Sequence, residues 1–592
     1  MGSNLTAADV QQDFDAFYEV ALQLLERFYP HRQITVTSRD PYYITAAIKA
    51  KLRRKNRLMR AGRIEEANAL AQRIGKDIVR RNKTRLSHIS PRTSVKDLWA
   101  AVRQLTGRKQ SSEVVDGITA ESLNQHYARI STDPYYQPPK HKLTTASRTD
   151  TAELITEFRM FEILDKLRNT ATGMDLLPAW FLRLGAPVFC GPLARLFNKS
   201  IASSTVPKQW KLASITPVPK TATPQEHADF RPISITAVLS RTLERVIVRE
   251  FIYPAILEPP VHLSCADQYA FRPTGSTTAA IVAILQSVTE LLSCNSYVVV
   301  ITLDFSKAFD TVRHSTLLDK MASMNIPDDV YNWLVNFFSG HSHCTRFCGS
   351  TSGQLDISAS IMQGSAIGPA SYVVNAADLT TVTAGNLMFK YADDTYIVIP
   401  AANVNSRSAE LDHVDRWAQN NNLRLNRAKS AEIVFTNCKR KHAEDPPPQM
   451  PDVRRVTSIK MLGVTMTNHL SAGEHVRDVI GKCAQSLHAL KLLRHHGMSD
   501  DSLRHVYKAV VLSKLLYASP AWWGFTNAAD KQRLEASVRR AIRLGLYTAD
   551  DPTTSRSQLL LVAEMDDNLF ANILSNPHHV LHKFLPNKTD HS

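Results

Sequence analysis

Apolar positions recur at helical spacing from residue 1 to about 90. "FDAFYEVALQLLERFYP" places them at i, i+3, i+4 and i+7 and stops at Pro30, which predicts an amphipathic helix ending there. The stretch 51–86 reads as one further helix, in which apolar residues alternate with 13 Lys and Arg and three acids. Between about 110 and 150 the pattern breaks into polar runs, "GRKQSSEVVDG" and "PYYQPPKHKLTTASRTD", which read as a linker. From 151 onward helical patterns alternate with short β-rich runs, "SITPVP", "YVVVITLDF", "TYIVIP" and "AEIVF". That mixture predicts an α+β core. The loop "HAEDPPPQMPD" interrupts it, and after "IKMLGVTM" the helical period returns.

Length and composition narrow the picture. At 592 residues the chain has room for several packed units. Its 44% hydrophobic and 21% charged content is ordinary for a globular protein. The charge is not ordinary: 71 Lys and Arg against 55 Asp and Glu give +16, a balance that attracts polyanions, nucleic acid first. Seven scattered cysteines fit free thiols in a reducing compartment. No apolar run approaches the ~20 residues of a membrane span and no signal-peptide core opens the sequence, so cytoplasm or nucleus is expected.

Two segments carry the chemistry. In "YVVVITLDFSKAFDTVRH" an apolar strand ends at Asp304; in "LMFKYADDTYIVIP" Asp393 and Asp394 sit at the tip of a predicted hairpin. If the two strands are sheet neighbours, three carboxylates converge at one edge. Desolvating like charges costs several kcal/mol each unless a cation compensates. Hard oxygen ligands suit Mg²⁺, and two such ions serve attacking and leaving oxygens in phosphoryl transfer. The cluster "GHSHCTRFC" (His341, His343, Cys344, Cys348) has zinc-ligand types, but its spacing matches no standard zinc site.

In their flanks and order these segments resemble the reverse transcriptases of non-LTR retrotransposons, the jockey and CR1 type in particular. The resemblance runs from about 170 to 470 through "TGMDLLPAWFLRLG", "VPKQWKLASITPVPK", "DFRPISIT", "DQYAFRPTGSTTAAI", "LDFSKAFDTV", "MQGSAIGP", "FKYADDT", "LRLNRAKSAEIVF" and "IKMLGVTM". Three places depart from the family pattern: Met362 stands where Pro is usual, "ASYVVNAADL" follows Pro369 where Leu-Leu-Phe is usual, and Ala270 stands where Gly is usual. No upstream stretch resembles an endonuclease, and neither an RNase H pattern nor a cysteine–histidine knuckle follows. The chain is therefore expected to polymerise without nicking its own target.

The resemblance implies a right-hand polymerase with fingers, palm and thumb and a helical basic N-terminal extension. Its boundaries fall at 1–150 for extension and linker, 151–468 for fingers and palm (core about 200–468), and 469–592 for a helical thumb and tail. It implies Asp304, Asp393 and Asp394 as catalytic metal ligands for two Mg²⁺, with Mn²⁺ as a substitute, and Lys429 as the acid that protonates pyrophosphate. Lys220, Arg231, Phe305, Phe309, Gln363 and Gly364 are placed around the incoming dNTP. A bulky ring at Phe309 would exclude a ribose 2′-OH. Leu462 and Gly463 form the primer-positioning turn. The implied partners are an RNA template, a DNA primer, dNTPs and chromosomal target DNA. The alternative is a catalytically silent nucleic-acid-binding remnant; an RNA-copying RNA polymerase is disfavoured by Phe309.

Overall fold

The computed structural model describes residues 7–30, 44–86, 117–143, 154–221, 223–436, 445–547 and 558–586. The chain divides into two units: residues 1–32, 114–456 and 578–583, and residues 33–113, 457–577 and 584–592. In the first unit, β1 (Leu212–Pro219), β2 (Phe230–Ile235), β3 (Tyr297–Leu303) and β4 (Ser342–Phe347) precede the short β5 (Ser350–Thr351) and β6 (Leu355–Asp356). Then come β7 (Leu387–Tyr391), β8 (Asp394–Pro400), β9 (Ala431–Thr436) and β10 (Arg454–Val456).

The central sheet has the order β10-β9-β3-β8-β7. β3 runs antiparallel to both neighbours. Its run Val298–Ile301 is wholly buried, the outcome expected of a continuous apolar strand. Each such side chain contributes roughly 1.5–3 kcal/mol by leaving water. The helix Thr277–Cys294 lies against β3, β7 and β8. A second sheet has the order β2-β1-β4-β5, with β6 on β4. The helix Ala7–Phe28 turns Val10, Phe14, Tyr18, Ala21 and Leu25 inward, a stripe at three- and four-residue spacing. The Tyr18 hydroxyl donates to Asp175 (3.0 Å) and accepts from Trp210 Nε1 (3.0 Å).

The second unit is mostly helical. β11 (Ser458–Met461) and β12 (Val464–Thr467) form a hairpin whose turn holds Leu462 (φ 45°) and Gly463 (φ 95°). The Tyr517 hydroxyl donates to the Leu462 carbonyl (2.9 Å). The helix Gly473–His495 packs on Ala528–Arg543.

Three sequence expectations change. The basic stretch is two helices, Ala46–Arg60 and Ile64–Leu86, because Gly62 adopts φ 70° and ends the first. Within the stretch read as linker, Ala120–Ile130 is a helix capped by Thr119 and Ser122. It packs on β4 and its buried Asn124 Oδ1 meets His343 Nδ1 (2.8 Å). The flanks 110–116 and 144–150 lie outside the described residues. Finally, Thr277–Cys294 is long and apolar enough to cross a membrane by length and composition, contrary to the expectation that no such run exists. Half of it is buried inside the first unit, where it serves the core.

Candidate active site

β3 and β8 are paired with Leu303 opposite Thr395, so Asp304, one residue beyond β3, comes level with the start of β8. β8 pairs with β7 through Tyr391 and Asp394, leaving Ala392 and Asp393 as the turn. Ala392 adopts φ 56°, uncommon for a residue with a Cβ. Its backbone N–H donates to the buried Gln268 Oε1 (3.0 Å), which also accepts from the Ala270 N–H (3.0 Å). Gln268 thus pins the turn that carries the acids. The other acid is held from its own side: the Asp304 carbonyl accepts from the Asn426 N–H (2.8 Å) and the Asp304 N–H donates to Ser430 Oγ (3.3 Å).

The acids repel one another. Burial raises the pKa of Asp393, the Asp304 charge adds to it, and Arg231 opposes. Asp394 is pushed up to about 6, by burial first and then by Asp393 and Asp304. Among the described residues no group of three or more His, Cys, Asp or Glu is drawn tightly enough to hold an ion as it stands. That covers His341, His343, Cys344 and Cys348 as well; both histidines are buried and hydrogen-bonded. The chemistry of the donors nevertheless suits a hard cation: carboxylate oxygens whose ionised forms are destabilised by one another.

Beside the acids opens a cleft of about 660 Å³. Asp304, Phe305, Phe309, Asp393 and Lys429 line it together with Lys220, Arg231, Gln363 and Gly364. Nine of the twelve residues singled out from the sequence therefore share one cavity. Asp394 stands next to Asp393 at its edge. Leu462 and Gly463 belong to the second unit, at the β11–β12 turn.

Each wall has a local cause. Lys220 and Arg231 sit at the end of the β1–β2 hairpin, and the Lys220 ammonium donates to the Ala228 carbonyl (2.8 Å). Burial, then Arg231, holds its pKa below the usual lysine range. Gly364 has φ 135°, and a Cβ there would lie 2.1 Å from the Ser234 carbonyl oxygen, so only glycine lets this loop cross β2. The crossing is stitched by the Ser234 N–H donating to the Gln363 carbonyl (2.8 Å). The Phe309 ring stacks on buried Tyr372, centroids 4.5 Å apart at 24°. Lys429 follows a turn closed on Asn426.

Besides Gln268, two residues outside the sequence-derived set are built into this site. Asp310 Oδ1 accepts from Gln363 Nε2 (2.7 Å), and burial pushes its pKa to about 6 against the pull of Gln363, Lys220 and Lys307. Glu244, wholly buried, accepts at Oε2 from the Ser365 hydroxyl (2.6 Å), the Ala366 N–H (2.6 Å) and the Ile367 N–H (3.2 Å). Its Oε1 accepts from the Ser240 hydroxyl (2.6 Å). Asp310 lies inside a motif already noted; a buried glutamate within an amphipathic helix leaves no such signal.

A strand-end aspartate beside a two-aspartate turn, facing a basic wall across an open cleft, is the arrangement of a polymerase fold. Residues 218–466 match the family described as reverse transcriptase (RNA-dependent DNA polymerase). That match agrees with the motif order's resemblance to the reverse transcriptases of non-LTR retrotransposons. The chain is 28% identical over 331 residues to the RNA-directed DNA polymerase from mobile element jockey of Drosophila melanogaster, covering 52% of this chain and 34% of that protein. To the probable RNA-directed DNA polymerase from transposon BS, also of Drosophila melanogaster, it is 27% identical over 59% of this chain and 40% of that one. The jockey protein of Drosophila funebris is 24% identical over 86% of this chain and 60% of its own length. The chain thus spans less than two thirds of the length of these relatives. Apo telomerase from Candida tropicalis gives a TM-score of 0.32 at 10% identity over 57% of this chain and 63% of that one, too slight a likeness to argue from.

Proposed function

We propose that this chain is an RNA-directed DNA polymerase that extends a DNA 3′-OH along an RNA template with dNTPs. The observation that carries the reading is the single cleft in which residues from separate segments of the sequence meet: Lys220 and Arg231, Asp304 to Phe309, Gln363 and Gly364, Asp393, and Lys429. In this assignment the central sheet is the palm and the β1–β2 sheet belongs to the fingers. The helices after β12 form the thumb, and the basic helices 46–86 form the extension.

Lys220 and Arg231 hold the triphosphate, Lys as a point charge and Arg through its fork. The primer O3′ forms a bond to the α-phosphorus as the bond to pyrophosphate breaks. Lys429 delivers a proton to the departing pyrophosphate. Two Mg²⁺, with Mn²⁺ able to substitute, would be held by Asp304, Asp393 and Asp394 and would supply charge compensation at the reacting oxygens. Phe309, backed by Tyr372, excludes the 2′-OH. Gln363 and Gly364 approach the nascent base pair. Partners would be template RNA, primer and chromosomal target DNA, in nucleus or cytoplasm.

Purified chain given poly(rA) primed with oligo(dT), labelled dTTP and Mg²⁺ should incorporate label. The D393N and D394N variants should not, while keeping their circular-dichroism spectra. Label incorporated equally by both variants would sink the assignment of the acids. Tight primer–template binding without any incorporation would mark a silent remnant.

A further inference from the structure

A second concavity, of about 550 Å³, lies between the helices Glu157–Asp165 and Val238–Ile247 of the first unit. It shares no lining residue with the acid cleft. Its floor is aliphatic and its rim cationic: Arg159, Lys166, Arg168, Arg241, Arg245 and Arg249 against the single acid Glu162. Arg159 is paired with Glu250 and Lys166 with Glu162. Among the described residues no ion pair joins the other four arginines to an acid. Arg241 and Arg245 are four residues apart on Val238–Ile247, about 6 Å along the axis at ~1.5 Å per residue, and Arg249 follows on the π-helical turn Val248–Ile252. Burial first, then Arg245, lowers the Arg241 pKa against the pull of Glu244 and Asp175. Its Nη2 donates to the Thr170 hydroxyl (3.3 Å) and the Ala171 carbonyl (2.9 Å), whereas Arg245 and Arg249 are exposed. Among the described residues no aromatic side chain lines the groove, so none offers bases a platform for stacking. What remains is a track for a row of phosphates.

We propose that this groove is a second nucleic-acid site, which takes a single strand through its phosphodiester backbone without reading its sequence. The proposal rests on the polymerase reading only for the expectation that nucleic acid is the polyanion this chain meets. The same helix serves both places. Arg241 and Arg245 face the groove, while Ser240 and Glu244 hold the loop that carries Gln363 and Gly364. A strand lying in the groove therefore rests on the back of the element that supports the cleft.

Fluorescence anisotropy with the full chain tests this without requiring synthesis. The probes are a labelled single strand of RNA and a DNA strand of the same sequence, titrated at salt from ~50 to ~200 mM. Arg168, Arg245 and Arg249 are exposed, so R168Q/R245Q/R249Q should melt like wild type. Its affinity should fall about tenfold at the lower salt, and the slope of log K against log salt should shrink by about 2, near 0.7 for each phosphate no longer neutralised. The lysine version, R168K/R245K/R249K, should restore most of the affinity, because holding a phosphate backbone needs charge rather than a fork. A loss for RNA alone assigns the groove to an RNA strand, and a loss for DNA alone to a DNA strand. Unchanged affinity and slope for both strands would overturn the site, as would a loss that lysine does not repair. Because the readout is binding, a chain that binds but never polymerises still decides the question.

Discussion

Glu244 does not itself line the cleft, yet its removal should cost both stability and synthesis. Its carboxylate is the acceptor for the Ser365 hydroxyl and for the Ala366 and Ile367 N–H groups just ahead of the helix Gly368–Asn375. E244A takes this acceptor from the Ser365 hydroxyl and the Ala366 N–H, at about 1–3 kcal/mol each before relaxation, while the Ile367 N–H keeps Ser365 Oγ (3.2 Å). Allowing for partial collapse, a loss of about 3–5 kcal/mol is expected, as for other broken buried networks. E244Q is milder. An amide oxygen in the Oε2 position keeps the three bonds, and the Ser240 hydroxyl can turn to accept from the new NH₂. What is lost is the negative charge at a helix N-terminus, worth about 0.3–2 kcal/mol. The functional effect follows from position, since Gln363 and Gly364 directly precede the held residues. Misplacing a binding group by about 1 Å costs up to ~100-fold in rate. Thermal unfolding should rank wild type, then E244Q, then E244A, and kcat/KM for dTTP on a primed template should fall in the same order. E244A melting within ~0.5 kcal/mol of wild type, or extending primer with unchanged kcat/KM, would refute the reasoning.

Further outcomes follow from the same geometry. F309A should raise rUTP relative to dTTP incorporation at least tenfold, about 1.4 kcal/mol of lost discrimination, measured by competition on one template. G364A places a Cβ 2.1 Å from the Ser234 carbonyl oxygen at φ 135°, so melting should show a loss of about 1–3 kcal/mol and primer extension should collapse. Asp310, with a folded pKa of about 6 against an ordinary 3.8, gives a signed pH effect. Its ionised form opposes folding above pH ~6, and that penalty is relieved as pH falls through 6 towards 4, by roughly 2–3 kcal/mol at most. Denaturant titrations at pH 7 and pH 5 should show the stability of D310N varying less across that window than wild type. Equal pH dependence would disprove the burial argument.

The acids were legible because a break in periodicity exposed them. A fully apolar run that ends in Asp304, and a hairpin with two charges at its tip, are local patterns, and their adjacency needed only one strand pairing. Gln363 and Gly364 were found through resemblance alone, since nothing in "QGSAIGP" itself shows that the loop crosses β2. Glu244, Asp310 and Gln268 act across long separations: Glu244 to Ser365 spans 121 residues and Gln268 to Ala392 spans 124. No window on the sequence contains both partners. The helix Ala120–Ile130 was missed for a different reason. Polar runs flank it on both sides, and its buried stripe of Leu123 and Tyr127 is short and shared with a polar Asn124.

The same long-range view explains why this site tolerates so much unpaired charge. Among the described residues no ion pair links the cations Lys220, Arg231 and Lys429 to Asp304, Asp393 or Asp394, although all but Asp394 line one cleft. Each set is left to repel itself: Arg231 and Lys429 depress Lys220, while Asp393 and Asp304 raise Asp394. Folding alone would favour collapse of the two walls into ion pairs or their replacement by apolar residues. Held apart on the β1–β2 hairpin and the β7–β8 turn, they instead present complementary fields across about 660 Å³. Under the proposed function, a nucleoside triphosphate with its divalent cations would satisfy both walls at once, its phosphates meeting Lys220 and Arg231 and the carboxylates holding the cations. On that proposal, the repulsion within each wall is the counterpart of the charge its ligand would bring.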